Sequence, residues 1–185
     1  MIDNDLAYVM RAVSSRMKLV GPVKEQIPRL EILIDRSGNA MQSFLEALSV
    51  IGDRPVILLE DDIKLTSQFC EKAEKAVGNF PKSVIKFFDL SKKQTQSRWE
   101  SGAKFCSTLC IYLPANYATQ ITDFYPAWER KEIHPTGTDI LIADWLKSRK
   151  ERYYVYCPSL VQHLPVVSVI NSRRSKYRQS ITFVE

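Results

Sequence analysis

The chain is expected to fold as a single α/β domain with a mostly parallel central sheet and helices on both faces. Three observations predict this. Strand and helix signals alternate along the sequence, the links between them are short, and one apolar strand runs into three consecutive acids. A strand, a helix and a second strand in close succession favour parallel pairing, because the crossover helix returns the chain to the same end of the sheet. The strand ends then share one rim, where open α/β sheets bind ligands. A length of 185 residues is enough for one sizeable core.

Taken in order, Leu6 to Met10 is a short apolar run and reads as the first strand. Ser14 is suited to cap a helix from Ser15 to Gln26. Leu30 to Ile34 is apolar and partly β-branched, and it ends in the strong turn Asp35-Arg36-Ser37-Gly38-Asn39. The helix that follows places Met41, Phe44, Leu45 and Leu48 on one face and closes at Ile51-Gly52-Asp53. Val56 to Leu59 is the next strand. Ile63 and Leu65 read as the opening of a helix that continues from Ser67 to Val77. Val84 to Phe88 is a further strand, and the polar stretch from Ser91 to Ala103 reads as an exposed loop or lid. Lys104 to Leu113 alternates loosely and stops at Pro114, before a helix from Ala115 to Phe124. Thr138 is placed to cap a helix from Asp139 to Lys147, and Tyr153 to Tyr156 is a late strand. Trp145 shares a helical face with Leu141 and Ile142 and belongs in the core. Trp99 and Trp128 stand in polar contexts, as exposed aromatics able to stack on sugars or nucleobases.

Composition narrows the function. Hydrophobic content of 45% and charged content of 25% are those of a soluble globular protein. No apolar stretch approaches the ~20 residues of a membrane span, and no basic-then-apolar signal opens the chain, so a cytoplasmic setting is expected. Cys70, Cys106, Cys110 and Cys157 have neither CxxC spacing nor nearby histidines, and are expected to be buried free thiols. The net charge of +5 gathers at residues 147–152 and 173–178, clusters that suit phosphates as well as mere solubility. No GxxxxGK[ST] loop, GxGxxG fingerprint or GxSxG elbow is present, which disfavours nucleoside triphosphatase, dinucleotide oxidoreductase and serine hydrolase readings.

The chemistry is expected at Glu60-Asp61-Asp62. Along an extended chain alternate side chains share a side, so Glu60 and Asp62 should point together and Asp61 away. Three adjacent acids repel and call for a counter-charge, most simply a divalent cation held by hard oxygen ligands. The same acids also suit the first turn of a helix, where the dipole favours them.

The run Val56-Ile57-Leu58-Leu59-Glu60-Asp61-Asp62, followed by Ile63-Lys64-Leu65 and Phe69, resembles the metal-binding segment of GT-A-type glycosyltransferases. It is most similar to the Leu-Glu-Asp-Asp segment of glycosyltransferase family 25 and of small bacterial and phage relatives. Thr108 to Pro114, Gly137-Thr138-Asp139 and Pro158 to His163 resemble, in the same order, the later segments of that group. The resemblance implies a GT-A-like, Rossmann-like domain. Residues 1–90 would form the nucleotide- and metal-binding half, residues 100–170 the acceptor side and residues 171–185 a basic tail. It further implies Asp62 and His163 as ligands of Mn²⁺ or Mg²⁺, with Glu60 or Asp61 facing ribose or metal-bound water. A nucleotide-sugar donor, most simply a UDP-sugar, would lie over Arg11, Ser14 and Arg16 at the first strand end and Asp35 and Arg36 at the second. Asp35 equally suits a purely local role in its turn, Asp139 a helix cap, and His163 a hydrogen-bonded strand position. In this reading Arg173, Arg174, Lys176 and Arg178 offset diphosphate charge, and Asp139 is the base of an inverting transfer. The acceptor is either DNA, such as a hydroxymethylated pyrimidine flipped from the duplex, or a glycan such as lipopolysaccharide; a phage-encoded enzyme would act in the host cytoplasm. Two other classes stand beside it. One is a metal-dependent phosphoryl-transfer enzyme or nuclease using Asp89 with Asp139. The other is a non-catalytic nucleotide- or nucleic-acid-binding module.

Overall fold

Alternation along the strands decides which side of the sheet each residue serves. In Ala7–Val13 (β1), Tyr8, Met10 and Ala12 face one layer of core while Ala7 and Val9 face the other. A computed structural model describes residues 6–129, 131, 137–166 and 178–185. Further strands are Leu30–Asp35 (β2), Val56–Glu60 (β3), Ile63–Leu65 (β4), Ile85–Lys86 (β5), Arg98–Ser101 (β6), Cys110–Leu113 (β7), Arg152–Val155 (β8) and Val161–His163 (β9). The helices are Met17–Gln26 (α1), Ala40–Ile51 (α2), Phe69–Asn79 (α3), Tyr117–Glu129 (α4) and Thr138–Ser148 (α5).

Seven strands form the central sheet in the order β2-β1-β3-β7-β5-β8-β6. β1 pairs in parallel with β2 and β3, and β5 with β8. β7 runs antiparallel between β3 and β5, and β6 antiparallel at the edge beside β8. Most strands therefore point one way, as expected of a single Rossmann-like α/β domain. Apolar residues of α1 and α3 close one face; those of α2, α4 and α5 close the other. α2 opens with the Asn39 side chain accepting from the Met41 and Gln42 amides, and it stops at Gly52, whose φ of 58° suits a residue without Cβ. A β4–β9 pair forms a small second sheet.

Several local expectations give way to tertiary demands. Ser14 caps nothing: the chain turns through a 3₁₀ segment, Ser14–Arg16, before α1 begins at Met17. Ile63 and Leu65 do not open a helix. They are buried on either side of exposed Lys64 in a strand whose partner, β9, lies about a hundred residues away in sequence. The polar stretch after Ser91 is exposed only in part, because Arg98–Ser101 pairs with β8. Gly137, not Thr138, stands at the cap of α5, while the Thr138 hydroxyl turns inward toward Thr108. Trp128 is only 5% exposed and donates its indole N–H to Asp144, so it is core rather than a stacking surface. All four cysteines are free, yet only Cys110 is buried; Cys106 is exposed. Among the described residues no helix is long and apolar enough to cross a membrane.

Candidate functional site

The parallel register brings three strand ends to one rim. Val13 lies opposite Asp35 on β2, and Arg11 lies opposite Glu60 on β3. Beyond Glu60 the chain leaves the sheet, so the strict alternation expected for the acids does not continue. Glu60 faces one way, while Asp61 and Asp62 converge on a shared cation instead of diverging.

That cation is Arg16. One guanidinium nitrogen, Nη1, donates to Asp61 Oδ1 at 2.8 Å and to Asp62 Oδ2 at 2.9 Å. Asp61 also accepts from the Val13 amide at 2.8 Å, which locks the acid turn to the end of β1. Both carboxylates are largely out of water, at 4% and 8% exposure. The counter-charge that the acid triplet requires thus comes in this structure from an arginine more than forty residues upstream. The 3₁₀ turn that displaced the expected helix start is what aims Arg16 at the acids.

Asp62 has a second neighbour. β4 and β9 pair so that Ile63 lies opposite His163, and the Leu164 amide donates to the Asp62 carbonyl at 2.7 Å. The His163 Nε2 consequently stands 3.5 Å from Asp62 Oδ2. Burial alone would raise the Asp62 carboxyl. Hydrogen bonding from His163 and the charges of His163 and Arg16 outweigh it and hold the group below the usual carboxylate range. The other oxygen, Asp62 Oδ1, is buried without a hydrogen-bond partner among the described residues. A buried carboxylate oxygen with spare lone pairs next to an imidazole is a donor set suited to Mn²⁺ or Mg²⁺. Among the described residues no group of three or more His, Cys, Asp or Glu side chains is arranged to hold a metal.

Glu60 belongs to a separate chain of contacts. It accepts from Arg11 Nη2 at 3.1 Å and from Thr108 Oγ1 at 2.6 Å, and Thr108 meets Thr138 Oγ1 at 3.1 Å. Arg11 also reaches the Ala40 carbonyl at the start of α2, with its guanidinium 5.2 Å from the Phe44 ring centroid. Asp139, next to Thr138, accepts from the Ser107 amide at 3.2 Å through Oδ2 and from the Ile140 amide at 3.1 Å through Oδ1. The fold thus brings Asp139 from α5 to the segment that touches Glu60. Thr108 and Thr138 stand in segments noted in the sequence, but their mutual contact and the link to Glu60 are not readable there.

The remaining candidates are more dispersed. Asp35 Oδ1 accepts from the Ser37 amide, the Ser37 hydroxyl and the Gly38 amide, the local turn role. Beside it a cavity of about 310 Å³ lies between β2 and α2, lined in part by Ile34, Asp35, Arg36 and Ser43. Ser14 and Arg36 are exposed at the same rim, and Arg178 is exposed as well. Arg173, Arg174, Lys176 and His134 lie outside the described residues. Asp89, the acid a two-metal reading would recruit, is bound at 2.7 and 3.2 Å by two nitrogens of Arg98.

No family model matches the chain, and no curated protein matches it in sequence. Among solved structures it is similar to the crystal structure of A197 from STIV, with 14% identity over 97% of this chain and 96% of that one and a TM-score of 0.48. It is also similar to a Bacillus anthracis protein assigned as a glucose-1-phosphate thymidylyltransferase and solved in complex with sucrose. That likeness has 10% identity over 85% of this chain and 89% of that one, with a TM-score of 0.45. Neither likeness is close enough to assign a family or an activity.

Proposed function

We propose that the chain is a divalent-metal-dependent glycosyltransferase that moves a sugar from a nucleoside-diphosphate donor to a hydroxyl acceptor. The observation that carries this reading is the meeting of Asp62 and His163 at the rim of the sheet, with Asp62 Oδ1 buried and without a partner among the described residues. Asp62 and His163 would hold the ion, and the imidazole favours Mn²⁺ over Mg²⁺. Bound there, the cation would offset charge on the departing diphosphate.

The chain's own residues divide the remaining work. Arg11 and Thr108 hold Glu60 in one orientation, suited to a ribose hydroxyl of the donor. Asp61 braces the acid turn through the Val13 amide and Arg16. The base and ribose lie along the ends of β1 and β2, over Ser14, Asp35 and Arg36. Asp139 accepts the proton of the acceptor hydroxyl as that oxygen bonds to the sugar, its carboxylate positioned by the Ser107 amide. Asp89, which the alternative two-metal phosphoryl-transfer reading would recruit, pairs with Arg98 as Asp62 does with Arg16.

The test is a thermal-shift series with UDP, UDP-sugars and other nucleoside diphosphates, each with and without Mn²⁺. A UDP-type ligand raises Tm only with metal, Asp62→Ala abolishes the shift, and Asp139→Ala keeps the shift while transfer is lost. A metal-independent shift, or one that survives Asp62→Ala, overturns the reading. For the acceptor, a hydroxymethylated pyrimidine in DNA and a glycan such as lipopolysaccharide stand side by side, and transfer to each is assayed. Transfer to one and not the other decides between them.

A further inference from the structure

At the opposite rim of the sheet, where β5 and β8 begin, a cavity of about 560 Å³ is lined by Lys82, Trp99, Tyr117, Lys150, Glu151 and Arg152 together with Ser83. Three of these side chains are cationic and one is acidic. The acid is occupied: Glu151 accepts from Arg149 at 2.6 Å and from the Tyr117 hydroxyl at 3.1 Å. Lys82 and Lys150 have no ion-pair partner among the described residues and are exposed. Among the described residues, the charges of Lys82 and Lys150 in this groove are therefore not neutralised by an ion pair.

The aromatic element is fixed in place. Trp99, 36% exposed, packs edge-on with Phe80 at 5.3 Å and with Tyr154 at 5.2 Å between ring centroids. The Arg152 guanidinium stands 5.9 Å from the indole centroid, tethered through its Nη2 to the Trp99 carbonyl at 3.0 Å. A planar ring entering there would be held between indole and guanidinium after a small outward swing of Arg152.

The backbone supplies a second, independent observation. α5 ends in a Schellman motif: the Glu151 amide donates to the Leu146 carbonyl at 2.9 Å and the Lys150 amide to the Lys147 carbonyl at 3.0 Å. The residue that must turn left-handed in this motif is usually glycine. Here it is Lys150, at a φ of 57°. A β-carbon in that conformation is strained, and the residue that bears it lines the groove.

We propose that this groove binds single-stranded nucleic acid, with Trp99 stacking on a base and Lys82, Lys150 and Arg152 meeting the adjoining phosphates. Single strands fit better than duplex because a paired base has both faces covered and cannot reach the indole. The site lies across the sheet from Asp62 and does not depend on the glycosyltransferase reading.

Fluorescence anisotropy with a labelled oligothymidylate tests it on the full chain. Single strand is expected to bind at least tenfold more tightly than a duplex of the same length. Trp99→Ala is expected to lose about tenfold, within the range measured for base stacking. Lys82→Gln and Lys150→Gly are each expected to lower the dependence of log K on log[salt] by about 0.7. Lys150→Gly relieves the backbone strain, so loss of binding in that variant is not loss of folding. Asp62→Ala is expected to bind the oligonucleotide as the parent chain does, which separates this site from the metal site. Equal affinity for duplex, unchanged binding after Lys150→Gly and Trp99→Ala, or equal competition by a base-free sulfated polysaccharide would each overturn the proposal.

Discussion

Replacing Arg16 with alanine removes the cation that, among the described residues, both buried acids share. The side chain is 11% exposed, and those of Asp61 and Asp62 are 6% and 11% exposed, so water does not readily take its place. Breaking a buried ion pair from one side costs about 3–5 kcal/mol, because the remaining charge stays buried and uncompensated. Asp61 keeps the Val13 amide and Asp62 keeps His163, which places the loss near the lower figure, about 3 kcal/mol. With an m-value of about 2 kcal/mol/M in urea, the unfolding midpoint falls by about 1.5 M at pH 7.

The pH dependence gives the sharper check. In the parent chain the Asp62 carboxyl is held below its ordinary value. Its contribution is fully present above the unfolded pKa near 4 and disappears as pH falls through the lower folded value. Without Arg16, burial acts on Asp62 against weaker opposition, and protonation relieves part of the penalty. The gap between parent and Arg16→Ala should therefore narrow steadily between pH 7 and pH 4. Mn²⁺ should stabilise the variant more than the parent, since the ion then supplies the missing charge. A gap that stays constant with pH, or a loss below about 1 kcal/mol, would show that Arg16 does not compensate these acids and would refute the argument.

Other outcomes follow from the same geometry. Asp89 is held below the usual carboxylate range: burial raises it, but Arg98, the Ser91 amide and the charge of Lys86 prevail. Asp89→Asn should cost about 2–4 kcal/mol at pH 7. That cost should start to shrink as pH falls below about 4, where the unfolded chain takes up the proton, and vanish as pH passes the lower folded value, as urea melts across that range would reveal. Gly102 has no room for a side chain, because a Cβ there would sit 2.4 Å from Leu146 Cβ and 2.8 Å from the Glu151 carbonyl oxygen. Gly102→Ala should lower stability by about 1–3 kcal/mol, and a neutral result would mean that α5 shifts freely against this turn. Lys150→Gly should raise stability by about 0.5–1 kcal/mol in calorimetry, the relief at φ 57° being partly offset by glycine's larger unfolded-state entropy.

The alternation of apolar runs and helical faces was enough to place β1, β2, α2, β3 and β8 close to their true bounds, because each buries a pattern of its own period within a few residues. The same pattern, with its short links, specified the α/β class. It could not specify β4, since Ile63-Lys64-Leu65 is a strand only by virtue of β9, nor β6, whose polar residues pair with β8. The acid triplet was visible as charge, and a strand end is a physical reason to notice it. Which way each acid points was not visible, for the chain bends out of the sheet after Glu60 and local alternation ends there. Arg16 meets Asp61 and Asp62 from a 3₁₀ turn that stands where a cap at Ser14 was expected, and Asp139 reaches the Glu60 neighbourhood through the Ser107 amide and the Thr108–Thr138 contact. Local sequence fixes what a segment can bury. Contacts between residues about thirty to a hundred positions apart are settled by how the layers close, and those contacts make up nearly all of the candidate site.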